Sequence, residues 1–164
     1  PRQMLSAQLN LLDSHDVSRF LTLCGGDRAR MEQAVLFQMS FPGMPCVFYG
    51  DEKGLEGASE NEYRCPMDFG RPNGLEEAYR RMIALRKEHP ALRHGDFQTV
   101  LAQGALFLCR RSAAEESLLL CWNAGGEALP VPGLPKDALP LLQKGWKGGL
   151  LEGRGYAVFQ IEKS

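Results

Sequence analysis

Apolar and polar positions follow two different patterns along this chain, and the change falls near residue 92. Before it, short apolar runs at positions 9–12 and 46–50 alternate with stretches of helical spacing. After it, five short apolar runs follow one another, separated mostly by turns that contain glycine. We therefore predict an α/β region over residues 1–92 with parallel strands, followed by an antiparallel β-sandwich or Greek key over residues 93–164.

Two helices are predicted in the first region. Asp27 is placed to cap a helix over residues 28–40. A second helix begins after Asn73 and Glu76, which have the spacing of a capping pair, and ends before Pro90. Two parallel strands with two helices leave open strand edges and an uncovered sheet. The first region is therefore expected to be part of a larger domain.

Ionisable side chains come directly after both predicted strands of the first region. The first strand is followed by Asp13, His15, Asp16 and Arg19, and the second by Asp51 and Glu52. In β/α barrels, catalytic and binding groups lie where the strands run out into the following loops. The order of residues therefore predicts a site at the carboxyl ends of these two strands.

Composition narrows the classes of function. The 164 residues are 44% hydrophobic and 24% charged, with a net charge of −1, which is typical of globular proteins and excludes a basic surface for nucleic acid or anionic membrane. No apolar stretch reaches the roughly 18 to 20 residues of a membrane span. The five cysteines are odd in number and lack zinc spacing, and three of them lie in apolar runs, so we expect buried free thiols in a reducing cytoplasm. Nothing in these residues argues for a metal or a cofactor.

Three segments resemble a known family: LNLLDSHDVSRFLTLCGGD at 9–27, FPGMPCVFYGDEKGLEG at 41–57 and YRCPMDF at 63–69. They are similar to the last quarter of the catalytic barrel in the α-amylase family, glycoside hydrolase family 13. Within it they look most like the neopullulanase, cyclomaltodextrinase and maltogenic amylase group. The resemblance implies the last two βα units of a TIM (β/α)8 barrel, with strands seven and eight, followed by a C-terminal β-sandwich domain.

The resemblance also implies roles for individual residues. Asp16 matches the third catalytic carboxylate, which holds the sugar at the cleavage site and stabilises the transition state. His15 matches a histidine that contacts the same sugar. Arg19 and Arg64 are further candidates for substrate binding, each against the alternative of a structural ion pair. The motif with Asp51 is expected to organise the loop that follows it.

The catalytic set of the family is incomplete in these residues. Retaining glycosidases need a carboxylate nucleophile and a separate acid/base carboxyl about 5 Å apart. In this family they lie at the ends of strands four and five, and neither stretch occurs in the 164 residues. The chain is therefore expected not to hydrolyse glycosidic bonds by itself.

The leading hypothesis is a C-terminal portion of a glycosidase that acts on α-glucans or maltooligosaccharides with α-1,4 or α-1,6 linkages. One alternative is a non-catalytic chain that completes a split barrel, with an upstream barrel segment or a second copy as its partner. Another is a carbohydrate-binding module built on the sandwich. Trp122 and Trp146 suit sugar stacking in that case, although Trp122 lies in an apolar run and is expected in the core.

Overall fold

The computed structural model describes residues 2–70, 74–114 and 116–162. The chain divides into two compact units, Pro1–Ala84 and Leu85–Ser164. This border falls earlier in the chain than the predicted one after residue 92. No helix among the described residues is long and apolar enough to cross a membrane.

The first unit alternates helices with two short parallel strands. Its elements in chain order are α1 (Arg2–Ser6), β1 (Leu9–Asn10), α2 (Phe20–Leu23), α3 (Arg28–Ser40), β2 (Met44–Pro45), α4 (Glu60–Tyr63) and the first part of α5 (Leu75–Glu88). β1 pairs with β2 in parallel, with Leu9 opposite Met44. The predicted parallel pairing is therefore confirmed, with α3 in the connection between the strands.

Both strands are shorter than predicted. The apolar run at 9–12 was expected to be a buried strand, yet Leu9 is 56% exposed and the strand ends at Asn10. The second strand lies at Met44–Pro45, before the apolar run at 46–50. At the end of the ladder, Gln38 Nε2 donates to the carbonyls of Asn10 and Cys46 at 3.0 and 2.9 Å. The Asn10 carbonyl also accepts from Cys46 N at 2.8 Å, so the backbone pairing reaches Cys46. Each strand has only the other as a described neighbour.

The helix α3 has the predicted bounds and the predicted cap. Asp27 Oδ1 accepts hydrogen bonds from the backbone N–H groups of Ala29 and Arg30 at 2.9 and 3.2 Å. Met31 and Val35 are buried on its apolar face. Asp27 therefore satisfies two of the donors that a helix leaves unpaired at its first turn.

The other helices of this region differ in detail from the prediction. Asn73, the expected cap of α5, lies outside the described residues, and Glu76 forms an ion pair with Lys53. Pro90 follows α5 as predicted but also begins a short helix. The helix α4 was not predicted; Ser59 and Glu62 form its capping box. The S-x-x-E pattern at 59–62 is the sequence signal for it.

The second unit is a six-stranded antiparallel sheet preceded by a short helix. Its elements are α6 (Pro90–His94), β3 (Asp96–Gln103), β4 (Leu106–Ala113), β5 (Glu116–Asn123), β6 (Leu129–Pro130), β7 (Leu142–Lys147) and β8 (Leu150–Ile161). The strand order is β3-β4-β5-β8-β6, and β7 pairs along the other side of β8. The predicted antiparallel β-rich region after an α/β region is thus confirmed.

The core of the sheet comes from alternate residues of its central strands. Leu108, Leu119, Leu151 and Phe159 are buried together with smaller apolar side chains. All five thiols are free, as predicted. Cys46 is exposed, however, because its apolar run is not part of a covered strand.

Candidate functional site

The turn after β1 presents His15 and Asp16 at the carboxyl ends of the parallel strands. Ser14 shapes this turn, since its Oγ accepts from Asp16 N at 3.2 Å and its carbonyl accepts from Val17 N at 3.4 Å. His15 Nε2 lies 3.2 Å from Asp16 Oδ1, and both side chains are 65% exposed. An imidazole and a carboxylate are therefore side by side and accessible to a ligand.

Arg64 reaches the same turn from the end of α4. Its Nε donates to the His15 carbonyl at 2.8 Å, and its Nη2 lies 3.4 Å from Asp16 Oδ1. Its Nη1 pairs with Glu60 Oε1 at 2.7 Å. The structure thus brings three of the four predicted site residues together, and α4 is the element that places Arg64.

Arg19, the fourth predicted residue, is fully buried below the turn. Its Nη1 donates to the Tyr49 carbonyl at 2.5 Å and to Asp51 Oδ1 at 3.2 Å. The guanidinium also lies over the rings of Phe48 and Tyr49, at 4.2 and 4.6 Å from their centroids. This placement favours the ion-pair alternative for Arg19 over direct contact with a substrate.

Two carboxyl groups share the buried space with Arg19. Asp13 Oδ2 accepts from Phe20 N at 2.6 Å, and both Asp13 and Asp51 are almost fully buried. Burial and the charge of Asp13 raise the pKa of Asp51 to about 8, against the opposing effect of Arg19. Asp13 Oδ1 is buried without a hydrogen-bond partner among the described residues, and a proton on Asp51 can supply one. The raised pKa therefore favours the protonated form of Asp51 at neutral pH.

The sequence indicated Asp13 only as one of the ionisable side chains after the first predicted strand, and it did not indicate Tyr79. Tyr79 lies on α5, and its hydroxyl is buried without a hydrogen-bond partner among the described residues. Burial and the nearby carboxylates of Asp51 and Asp13 raise the pKa of Tyr79. The position of Asp13 at the end of a strand was a signal for it, but nothing local marks a tyrosine in an apolar stripe as part of a polar cluster.

The two tryptophans belong to the β-sheet. Trp122 is buried beside Phe107, as expected. Trp146 is partly buried with its ring edge against Phe159, and its Nε1 donates to the Ala138 carbonyl at 3.0 Å. Both side chains therefore have packing roles. Within the described ranges, no group of three or more His, Cys, Asp or Glu side chains is placed to hold a metal ion.

Comparison with known proteins agrees with the segments that carry the resemblance. Residues 2–70 match the family described as alpha amylase, catalytic domain. The chain is 36% identical over 163 residues to a cyclomaltodextrinase of Geobacillus thermopakistaniensis (strain MAS1). The alignment covers 96% of this chain and 27% of that protein. It is 39% identical over 132 residues to neopullulanase 2 of Thermoactinomyces vulgaris, covering 77% of this chain and 23% of the relative.

A solved structure resembles the whole chain. The debranching enzyme of Nostoc punctiforme, soaked with acarbose, superposes with a TM-score of 0.82 at 34% identity, over 98% of this chain and 35% of the enzyme. The chain therefore spans about a quarter of the length of the curated relatives it matches and about a third of this structure.

Proposed function

Since this chain belongs to the α-amylase family, we propose that it is the C-terminal portion of a retaining glycosidase, here called the parent enzyme. The proposed substrates are α-glucans and maltooligosaccharides, including cyclodextrins and pullulan, for which two of the relatives are named. The observation that carries the proposal is the exposed His15 and Asp16 pair at the carboxyl end of β1.

In this proposal Asp16 stabilises the transition state. An ionised carboxylate accepts hydrogen bonds from the hydroxyl groups of a sugar, and these bonds strengthen as the ring gains positive charge. His15, whose ring lies beside Asp16, can donate a hydrogen bond to the same sugar. Arg64 has a half-exposed guanidinium next to both and is proposed to contact substrate from the other side of the turn.

Asp16 cannot perform the reaction by itself. Retention requires a nucleophile that forms a glycosyl-enzyme and an acid that protonates the leaving oxygen. The stretches that carry these two groups in the family do not occur in the 164 residues. We therefore propose that the chain is inactive alone and that the upstream part of the barrel supplies both groups.

An apolar groove beside β1 is proposed to receive that upstream part. It has a volume of about 350 Å³. Its lining comes from the β1 segment and from one side of α3: Leu9, Asn10, Leu11, Leu12, Phe37, Gln38 and Phe41. A parallel strand added at the free side of β1 would extend the two-stranded sheet and cover these side chains. The short span of the chain relative to its relatives supports this occupant over a second copy.

Activity measurements test the proposal on the chain and on the parent enzyme. The purified chain is expected to give no turnover on maltodextrin, pullulan or cyclodextrin, whereas the parent enzyme turns over at least one of them. In the parent enzyme, Asp16→Asn is expected to lower kcat on the order of 10²- to 10³-fold, as loss of one transition-state contact does.

Asp137→Asn is the matched control, because Asp137 is an exposed carboxylate of the β-sheet unit, in the loop before β7. Its kcat is expected to equal that of the unmodified enzyme. Turnover by the purified chain would show that it is not an inactive portion. Full activity of Asp16→Asn in the parent enzyme would remove the catalytic role of Asp16.

A further inference from the structure

We propose that Arg19, Asp51 and Asp13 are positioning residues: they form a buried clamp that fixes the turn carrying His15 and Asp16 without touching substrate. The inference rests on the proposed function of Asp16. All three residues are buried below the exposed part of the site.

The clamp closes the loop of residues 13–20 and ties it to the chain that follows β2. Asp13 binds the backbone N–H of Phe20, which brings the two ends of the loop together. Arg19 binds the Tyr49 carbonyl and Asp51 through one nitrogen, Nη1. The two highly exposed ionisable side chains of this loop, His15 and Asp16, lie between the residues that anchor it, Asp13 and Arg19.

Further contacts fasten the same side of the turn. Arg19 N donates to the Gly57 carbonyl at 2.9 Å, and Ser18 Oγ donates to the Ala58 carbonyl at 3.1 Å. Asp16 is three residues from Arg19 along the chain. We therefore expect a change in the orientation of Arg19 to shift the short backbone segment that carries the Asp16 carboxylate.

A contribution to the stability of the fold does not by itself explain why ionisable groups are buried below the turn. Burying an ion pair costs desolvation energy that the attraction between the charges often fails to repay, and apolar side chains of similar volume stabilise a fold as well. Arg19 is instead oriented by a carbonyl and a carboxylate, both bound through Nη1, and by two aromatic rings, whereas its Nε and Nη2 are buried without a hydrogen-bond partner among the described residues. Such an arrangement defines geometry, and catalysis depends on the position of the reacting groups.

A double-mutant cycle in the parent enzyme tests whether Arg19 acts through Asp16. The enzymes compared carry Arg19→Lys, Asp16→Asn or both, and are assayed on an aryl maltooligosaccharide. Arg19→Lys is expected to lower kcat about 10- to 100-fold with little change in KM, the loss typical of a displaced catalytic group. In the Asp16→Asn enzyme the same substitution is expected to lower kcat less than about twofold, because coupled residues are not additive.

Arg30→Lys is the control, since Arg30 pairs with Asp27 at an exposed position of α3. It is expected to leave kcat unchanged in both backgrounds. Where Arg19→Lys yields little folded enzyme, Arg19→Met combined with Asp51→Leu and Asp13→Asn removes all three ionisable groups of the buried cluster and leaves no charge unpaired there. That variant is expected to be folded by circular dichroism and to show the same loss of kcat, again absent in the Asp16→Asn background.

Two results would overturn the clamp. One is an unchanged kcat in folded Arg19 variants, and the other is an equal fold-loss with and without Asp16. Wild-type activity of Asp16→Asn alone would instead contradict the proposed function, so the two failures are distinguishable.

Discussion

Among the described carboxyl groups, Asp51 is the one whose ionisation the fold opposes most. Its carboxyl is buried next to a second carboxyl, Asp13, and the single guanidinium of Arg19 cannot neutralise two negative charges. Its pKa of about 8 lies well above the ordinary value of 3.8. The folded state therefore holds a proton that the unfolded chain releases at a much lower pH.

This difference predicts that stability is lost as the pH rises from about 4 to about 8. Because the folded pKa is raised, the stabilisation is complete below the ordinary pKa of the carboxyl and is lost as the pH rises through about 8. Asp51→Asn replaces the protonated form with an amide that can accept from Arg19 and donate to Asp13. The unfolding temperature of the wild-type chain is expected to fall between about pH 4 and pH 8 and to level off above that, and that of Asp51→Asn to fall less.

Thermal unfolding of both chains across this range is the measurement. Asp137→Asn is the control and is expected to follow the wild-type curve, because that carboxylate is exposed. Parallel curves for wild type and Asp51→Asn would show that the pKa of Asp51 is not raised in the folded chain.

The sequence indicated which residues belong to the site, but it did not indicate which of their side chains are buried. The order of Asp13, His15, Asp16 and Arg19 after an apolar run indicated a site, and the structure brings His15 and Asp16 to its surface. In an irregular loop, the side chains that turn inward are those that find binding partners on neighbouring segments of the chain. For Arg19 those groups are the carbonyl of Tyr49 and the carboxyl of Asp51, about 30 residues further along the chain.

The helix α3 shows how far local signals determine an element. Its cap is a local interaction, so Asp27→Ala is expected to reduce the free energy of unfolding by about 1 kcal/mol. Urea denaturation measures this change. Asp27→Ser keeps an oxygen acceptor for Ala29 N and is expected to restore most of the loss, whereas equal losses in both variants would contradict the capping role.

The bounds of α3 were predicted correctly because its spacing and its cap lie within the helix itself. The strands β1 and β2 were predicted too long, because a strand extends only where a neighbour offers hydrogen bonds. Here the backbone pairing ends where Cys46 N donates to the Asn10 carbonyl, and Gln38 donates to that carbonyl and to the carbonyl of Cys46. Gln38 belongs to α3, and the sequence pattern around the two strands does not predict its hydrogen bonds to them.

At the scale of the whole molecule, the two sheets differ in how completely they are paired. β5 has β4 on one side and β8 on the other, and its side chains from Ser117 to Asn123 are buried. β1 is paired on one side only, by two residues, and the groove along its apolar side chains is open. The second unit thus has a core of its own, whereas the sheet of the first unit is a partial one.

This contrast predicts the pattern of hydrogen exchange. In the chain alone, amides of residues 7–12 are expected to exchange fast, because a two-residue ladder opens easily, and amides of residues 118–122 to exchange slowly. In the parent enzyme, where the upstream part of the barrel is proposed to cover the groove, residues 7–12 are expected to become protected while residues 118–122 stay as they are. Exchange measured by mass spectrometry on both proteins provides the comparison, with the β5 peptide as the internal control. Equal protection of residues 7–12 in both proteins would mean that β1 needs no further strand, and the groove would then have no part in completing a barrel.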